Sequence, residues 1–232
     1  RGRQVLRALP RINDDVNEEW ASDKTRHAVD GLVRKRLDKP YIRKGGKLVP
    51  ATWGEAFAAI AAVKHGGSVA ALAGDLLDCE TMFAGKLLVE KLGGSLLEGR
   101  QTGLAYDVSS LSAVNFNTTL AGIETADVIL LVGTNLRWEA PLVNTRIRKA
   151  VKKGAKIFAV GPEVDLTYKV EWLGNDASLL GKLPKAVLDA FKGAVRPAMI
   201  VGGGVLAKDG AHGDTLALVD KLGLIKEGWN GY

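Results

Sequence analysis

ETADVILLVGTNLRWEAPLVNTRIRKAVKKGAKIFAVG, residues 124–161, is the stretch on which the fold turns. After Asp127 comes a continuous apolar run, Val128-Ile129-Leu130-Leu131-Val132, with β-branched members. Such a run reads as a strand buried on both faces of a parallel sheet. Gly133-Thr134-Asn135 breaks it. From 140 to 152, Leu142, Val143, Ile147, Ala150 and Val151 recur at helical spacing, and Arg146, Arg148, Lys149, Lys152 and Lys153 place positive charge toward the helix C-terminus, where the dipole favours it. Gly154 closes that helix and Lys156 to Val160 begins the next strand, so the stretch is one βαβ unit with an expected right-handed crossover.

Working outward, the pattern repeats. A strand is expected over 68–74, a helix over 78–92 stopped by Gly93-Gly94, and a short strand over 95–98. Beyond the central unit lie a loop over 162–176, a helix over 178–192, a buried strand over 198–201 running into Gly202-Gly203-Gly204, and a helix over 210–222. Alternation of this kind implies an α/β fold with a doubly wound, mostly parallel sheet. Residues 1–50 form an irregular entry segment in which Gly45-Gly46 predicts a small β-hairpin. Thr52 with Glu55 predicts a capping box for a helix over 53–64, ended by Gly66-Gly67, and residues 51–232 are expected to form one Rossmann-like domain.

Composition bounds the function. With 232 residues, 47% hydrophobic and 25% charged, the chain can bury a sizeable core. No apolar run approaches the ~20 residues of a spanning helix, so direct membrane insertion is not expected. The net charge of +6 is spread along the chain, and its densest patches, Arg34-Lys35-Arg36 and 146–153, lack interleaved aromatics, which argues against nucleic acid. The single Cys79 cannot by itself hold a cluster or zinc. His27, His65 and His212 lack partners at ligand spacing and read as surface residues. Neither glycine-bearing strand end matches GxGxxG or a Walker pattern, so both read first as geometric turns. The charged start and the final Trp229-Asn230-Gly231-Tyr232 read as cuts from a longer chain.

The phrases Asn17-Glu18-Glu19-Trp20-Ala21-Ser22-Asp23-Lys24-Thr25-Arg26, Asp30-Gly31-Leu32, Leu131-Val132-Gly133-Thr134-Asn135 with Arg137, Glu139-Ala140-Pro141-Leu142, and Val164-Asp165-Leu166-Thr167-Tyr168 together raise a family resemblance. The chain resembles the molybdopterin-oxidoreductase fold, and within it the large iron-sulfur subunit of respiratory complex I, the NADH:quinone oxidoreductase. The resemblance implies iron-sulfur clusters elsewhere in the full subunit and partners among the peripheral-arm subunits. It also implies a location on the cytoplasmic face of a bacterial inner membrane or on the mitochondrial matrix side.

Departures from the catalytic relatives carry the functional expectation. Where those relatives place a cluster cysteine this chain has Ser22, and a hydroxyl is a poor substitute for thiolate. Where they read Asp-Pro-Arg beside the pterin, it reads Gly161-Pro162-Glu163. No cysteine lies in 99–117, where Ser109, Ser110 and Ser112 are the nearest substitutes for a metal ligand. The expectation is a vestigial pocket around Lys24, Gly133, Asn135, Gly161 and Glu163, with no catalytic residue, no metal and no cofactor in this segment. Arg146, Arg148 and Lys149 are expected to face neighbouring protein. The alternatives are one lobe of an active molybdopterin-dependent oxidoreductase, or a nucleotide-binding module.

Overall fold

Short-range bonds shape the entry segment. The computed structural model describes residues 5–63, 69–99 and 102–232. Two antiparallel residues, Asn13 and Glu18, close a tight loop, and α1 (Asp23–His27) follows. The expected hairpin is present: β1 (Tyr41–Lys44) pairs with β2 (Lys47–Pro50), with Lys44 opposite Lys47, and Gly45 and Gly46 both adopt positive φ. α2 (Trp53–Ala61) begins with the full capping box, Thr52 Oγ1 accepting from the Glu55 amide at 3.2 Å and Glu55 Oε2 from the Thr52 amide at 2.9 Å. Thr52→Ala removes one of these and should cost α2 about 1 kcal/mol, read as faster amide exchange in its first turn. The expected glycine stop at 66–67, the start of the strand at 68, and His65 lie outside the described residues.

β3 (Ala70–Leu72), α3 (Cys79–Lys91) and β4 (Leu96–Glu98) form a parallel βαβ unit, with Ala70 opposite Leu96. Asp78 caps α3 through the Thr81 amide at 2.7 Å, and Gly93, at φ +76°, closes it with the Gly94 amide reaching Val89 O. These elements belong to one of two compact units, 1–8 with 27–102, whereas 9–26 with 103–232 form the other. The expected 51–232 domain is thus divided in the structure, because β3 and β4 pair with each other and not with the strands that follow. Among the described residues of the first unit only Val89 is buried; Trp53, Phe57 and Ile60 on α2, and Phe83, Leu87 and Leu88 on α3, are exposed.

The second unit holds the core. Its order is β5 (Val128–Val132), α4 (Leu136–Glu139), α5 (Pro141–Lys152), β6 (Lys156–Val160), β7 (Glu171–Gly174), α6 (Lys185–Gly193), β8 (Pro197–Val201), α7 (Gly203–Leu206), α8 (Ala211–Lys221), β9 (Ile225–Lys226) and β10 (Trp229–Asn230). The sheet runs β7-β6-β5-β8, all parallel, with Val128 opposite both Lys156 and Pro197. Every side chain of β5 is buried, as the apolar run requires. Val128, Leu130 and Val132 pack with Phe191 of α6 and Leu218 of α8; Ile129 and Leu131 pack on the other face with Ile147 of α5. Helices on both faces make this unit doubly wound.

Local signals explain most boundaries. Pro141 occupies the first turn of α5, and Gly154 at φ +103° ends it, the Ala155 and Gly154 amides reaching the carbonyls of Ala150 and Val151. The helix expected over 178–192 is instead a 3₁₀ turn (Ala177–Lys182) followed by α6, because Pro184 holds Leu183 out of the helical region and supplies no donor. The loop expected over 162–176 contains the edge strand β7. The last four residues are not loose: Trp229 Nε1 donates to Pro197 O at 2.7 Å and the Met199 amide to Gly231 O at 2.7 Å, extending the edge of β8.

Candidate functional site

In a doubly wound sheet a ligand sits beyond the carboxyl ends of the strands where the order reverses, here between β5 and β8. Gly133 and Gly202 occupy those two ends, and the chain's own backbone fills the space between them. Gly133 has φ +59°, and a Cβ there would stand 2.4 Å from the Val205 nitrogen. A Cβ on Gly202 would stand 2.4 Å from Thr134 Cβ, and one on Gly204 would stand 2.7 Å from Gly133 O. Gly161 follows β6, and a Cβ on it would stand 3.5 Å from the Gly133 nitrogen. The glycines serve close backbone approach.

Several of the amides nearest these strand ends are already committed. Those of Gly133, Gly161, Gly202 and Gly204 donate to the carbonyls of Val160, Gly174, Val132 and Gly133, all at 2.8–2.9 Å. The Asn135 amide donates to Glu139 Oε1 at 2.6 Å. Asn135 Oδ1 is buried and has no hydrogen-bond partner among the described residues. One carbonyl-type oxygen suits a water or another N–H or O–H donor; it does not suit a phosphate oxygen, which itself needs donors. Glu163 is exposed, and its charge opposes an anion. These bonded amides and the charge of Glu163 are a poor match for the pyrophosphate of a pterin dinucleotide.

Of the expected pocket residues, Gly133, Asn135 and Gly161 do gather at the strand ends, whereas Lys24 is an exposed residue of α1. Ser22 caps α1, its Oγ accepting from the Thr25 amide at 3.2 Å and lying 3.0 Å from Thr25 Oγ1. Among the described residues no group of three or more His, Cys, Asp or Glu is placed to hold a metal ion.

A second site was not legible from motifs. Arg146, expected at the surface, is 4% exposed. Its Nη1 donates to Glu124 Oε1 at 2.9 Å, and its Nη2 to the carbonyls of Asp14 at 2.6 Å and Val16 at 3.2 Å. Lys149 Nζ, one turn on, donates to Glu18 Oε1 and, at 3.1 Å, to Glu124 Oε1. Arg148 donates to Thr167 O at 3.1 Å. Arg146 is thus spent inside the chain, and the expectation that it meets neighbouring protein is corrected for this residue, while Arg148 and Lys152 remain exposed. The signal was positional: Arg146 lies three residues from Val143 and four from Ala150, flanking the apolar stripe.

The ammonium of Lys149 holds the Glu18 carboxyl below its usual range, and the Glu18 hydrogen bond raises the Lys149 ammonium above its own. The contribution of a depressed carboxyl is present above its ordinary pKa and lost as pH falls through the lowered one. Lys149→Met should therefore move the Glu18 titration midpoint upward, read from its side-chain carboxyl carbon by NMR; an unchanged midpoint would remove Lys149 as the cause.

Two further polar groups were missed. His212, expected at the surface, is buried: the Asp107 amide donates to its Nδ1 at 3.0 Å, so the proton rests on Nε2, which donates to Ala113 O at 2.9 Å. Tyr168 donates to Asn144 Oδ1 at 2.7 Å while Asn144 Nδ2 donates to Leu166 O at 3.1 Å; burial raises the Tyr168 pKa and keeps it a donor.

Known proteins of similar sequence match most of the chain. The family model "Molybdopterin oxidoreductase" matches residues 36–232, and "NADH-ubiquinone oxidoreductase NDSU1/NuoG-like, 4Fe-4S domain" matches residues 1–30. Among similar curated proteins, the NADH-quinone oxidoreductase G subunit of Rickettsia felis is 43% identical over 230 residues, covering 96% of this chain and 34% of the relative. The NADH-ubiquinone oxidoreductase 78 kDa subunit of Candida albicans is 46% identical over 214 residues, covering 88% and 30%. NADH dehydrogenase [ubiquinone] iron-sulfur protein 1 of Solanum tuberosum is 39% identical over 243 residues, covering 100% and 33%. The chain spans about a third of the length of these relatives.

Proposed function

The chain belongs to the molybdopterin oxidoreductase family, and on that premise we propose that it is a non-catalytic, structural domain of the large iron-sulfur subunit of NADH:quinone oxidoreductase. In this reading it supports electron transfer from NADH toward quinone by iron-sulfur clusters held elsewhere in the subunit. Its partners are other subunits of the complex's peripheral arm, on the cytoplasmic face of a bacterial inner membrane or the matrix side of a mitochondrial one. No described helix is long and apolar enough to cross a membrane, which accords with attachment through partners.

The relatives' names support the assignment to this complex, and one geometric observation carries the non-catalytic part. At the switch point the amides of Gly133, Gly161, Gly202 and Gly204 are bonded to neighbouring carbonyls, and Val205 occupies the space beside Gly133. A pyrophosphate arriving there would meet no free donors among these and would have to displace backbone, with each stranded polar group costing on the order of 1–3 kcal/mol.

Elemental analysis of the full-length subunit tests this. Iron should be present at several equivalents and molybdenum and tungsten far below one; stoichiometric molybdenum would overturn the non-catalytic reading. Calorimetric titration with guanine and nicotinamide nucleotides should give no saturable heat. A saturable isotherm abolished by Asn135→Ala would favour a nucleotide module instead.

A further inference from the structure

The sequence families and the physical units divide this chain at different places. The iron-sulfur match ends at residue 30 and the α/β match begins at residue 36, yet residues 9–26 fold in the same compact unit as residues 103–232. A piece that reads as the end of the iron-sulfur domain is therefore packed onto the α/β sheet unit. The contact point is the loop over 13–18, and what it meets is Arg146.

The loop carries its own internal bonds. The Asn13 and Glu18 amides exchange bonds with each other's carbonyls at 2.8 and 2.7 Å, and the Val16 amide donates to Asn13 O at 3.1 Å. Asn17 Nδ2 reaches the carbonyls of Arg11 at 2.8 Å and Trp20 at 3.1 Å, tying both flanks to the loop. Glu18 takes a left-handed backbone, φ +53°, which non-glycine residues seldom adopt. That conformation coincides with the carboxylate meeting Lys149.

Apolar burial does little to hold this loop. Ile12 is 76% exposed, Val16 45% and Trp20 53%. The polar contacts must do it, and their geometry asks for arginine. Glu124 fixes one arm of the guanidinium from within the α/β unit, and the other arm takes two loop carbonyls at once. A planar fork with five N–H donors can give one nitrogen to the carboxylate and the other to two loop carbonyls, a division that a single ammonium nitrogen would have to make from one point. Glu124 in turn receives Lys149 and lies 4.0 Å from Lys153, so the acceptor side is held from three directions.

We propose that Arg146 is a positioning residue: held by Glu124, it latches the loop over 13–18 and thereby fixes the iron-sulfur end of the full-length subunit to the α/β domain. The inference rests on the reading of the chain as part of an iron-sulfur subunit, and it names the side chain through which that subunit's two parts are joined. Glu18 with Lys149 is the second, more exposed half of the same latch.

The test uses the purified full-length subunit with a sequence-specific protease site introduced between Lys35 and Arg36, both exposed. After cleavage the iron-bearing amino-terminal fragment should remain bound to the remainder on native gel filtration. Arg146→Met should speed its release about tenfold or more, which corresponds to about 1.4 kcal/mol of attachment. Arg148→Met, on the same helix, should leave release unchanged. Glu18→Lys sets like charge against Lys149 from the loop side without touching the sheet core, so it decides the matter if Arg146→Met fails to fold; it too should speed release. Release from the unsubstituted subunit as fast as from both variants, or retention unaltered by either, overturns the latch. Iron is measured on the released fragment independently: a fragment without iron contradicts the iron-sulfur reading while retention still tests the latch.

Discussion

Gly133→Val should abolish stable folding of the sheet unit, or lower its stability by more than about 4 kcal/mol in chemical denaturation. Two costs combine. A β-branched residue at φ +59° is a steric outlier, worth about 1–2 kcal/mol or more by itself. The added Cβ would then stand 2.4 Å from Val205 N and 2.8 Å from Val205 Cβ, and the first of these is backbone, which cannot rotate away. Relief requires α7 to withdraw from the end of β5, breaking the bond from the Gly204 amide to Gly133 O and exposing Val205, which is 4% accessible. Gly213→Ala on α8 is the matched control. It has open space and no positive φ, and should be neutral or stabilising by up to about 1 kcal/mol. Near-wild-type stability for Gly133→Val would mean that the strand ends are not closed by backbone, and the case against a nucleotide there would lose its main support.

What the sequence disclosed is sorted by the range of the forces involved. The hairpin at Gly45-Gly46, the Thr52–Glu55 cap, the glycine stop after α5 and the buried β5 all follow from residues within a few positions of one another. Those signals are local, so periodicity and capping chemistry are enough to find them. Which strands share a sheet is a non-local matter: β3 and β4 read no differently from strands of the main sheet, yet they pair apart from it. The edge strand β7 is four residues long and only half buried, too short to show a period. Pro184 was a local signal capable of splitting the helix expected over 178–192, and helical spacing on either side masked it.

At the strand ends the same division of local from distant signals holds. Glycines at strand ends were visible, and so were Ser22 and Gly161-Pro162-Glu163 as departures from the catalytic pattern. That the glycines serve contact with Val205 and Thr134 depends on residues about 70 positions apart, which spacing alone does not reveal. His212 was misplaced because its partners, Asp107 and Ala113, lie 105 and 99 positions away. Arg146 is buried although its charge predicts exposure. A guanidinium can be buried where a carboxylate and backbone carbonyls satisfy it, and here both are supplied from distant segments.

Arg146→Met should destabilise the sheet unit by about 3 kcal/mol, measured by the denaturation midpoint at unchanged slope. Removing one member of a buried pair typically costs about 3–5 kcal/mol, since the partner's charge is left without compensation. The lower end applies because Glu124 keeps Lys149 at 3.1 Å and its side chain retains 17% exposure. The carbonyls of Asp14 and Val16 fare differently, since the loop can swing them into water, and that response converts part of the energetic loss into loss of docking. The double substitution Arg146→Met with Glu124→Leu separates the two contributions. It removes the stranded carboxylate and its desolvation cost, so stability should recover by about 1 kcal/mol or more, while the loop, still without its guanidinium, stays undocked. A single-variant loss below about 1 kcal/mol would show that the guanidinium is merely accommodated at this position. Full recovery of both stability and docking in the double variant would show that packing, and not the divided fork of hydrogen bonds, holds the entry loop to α5.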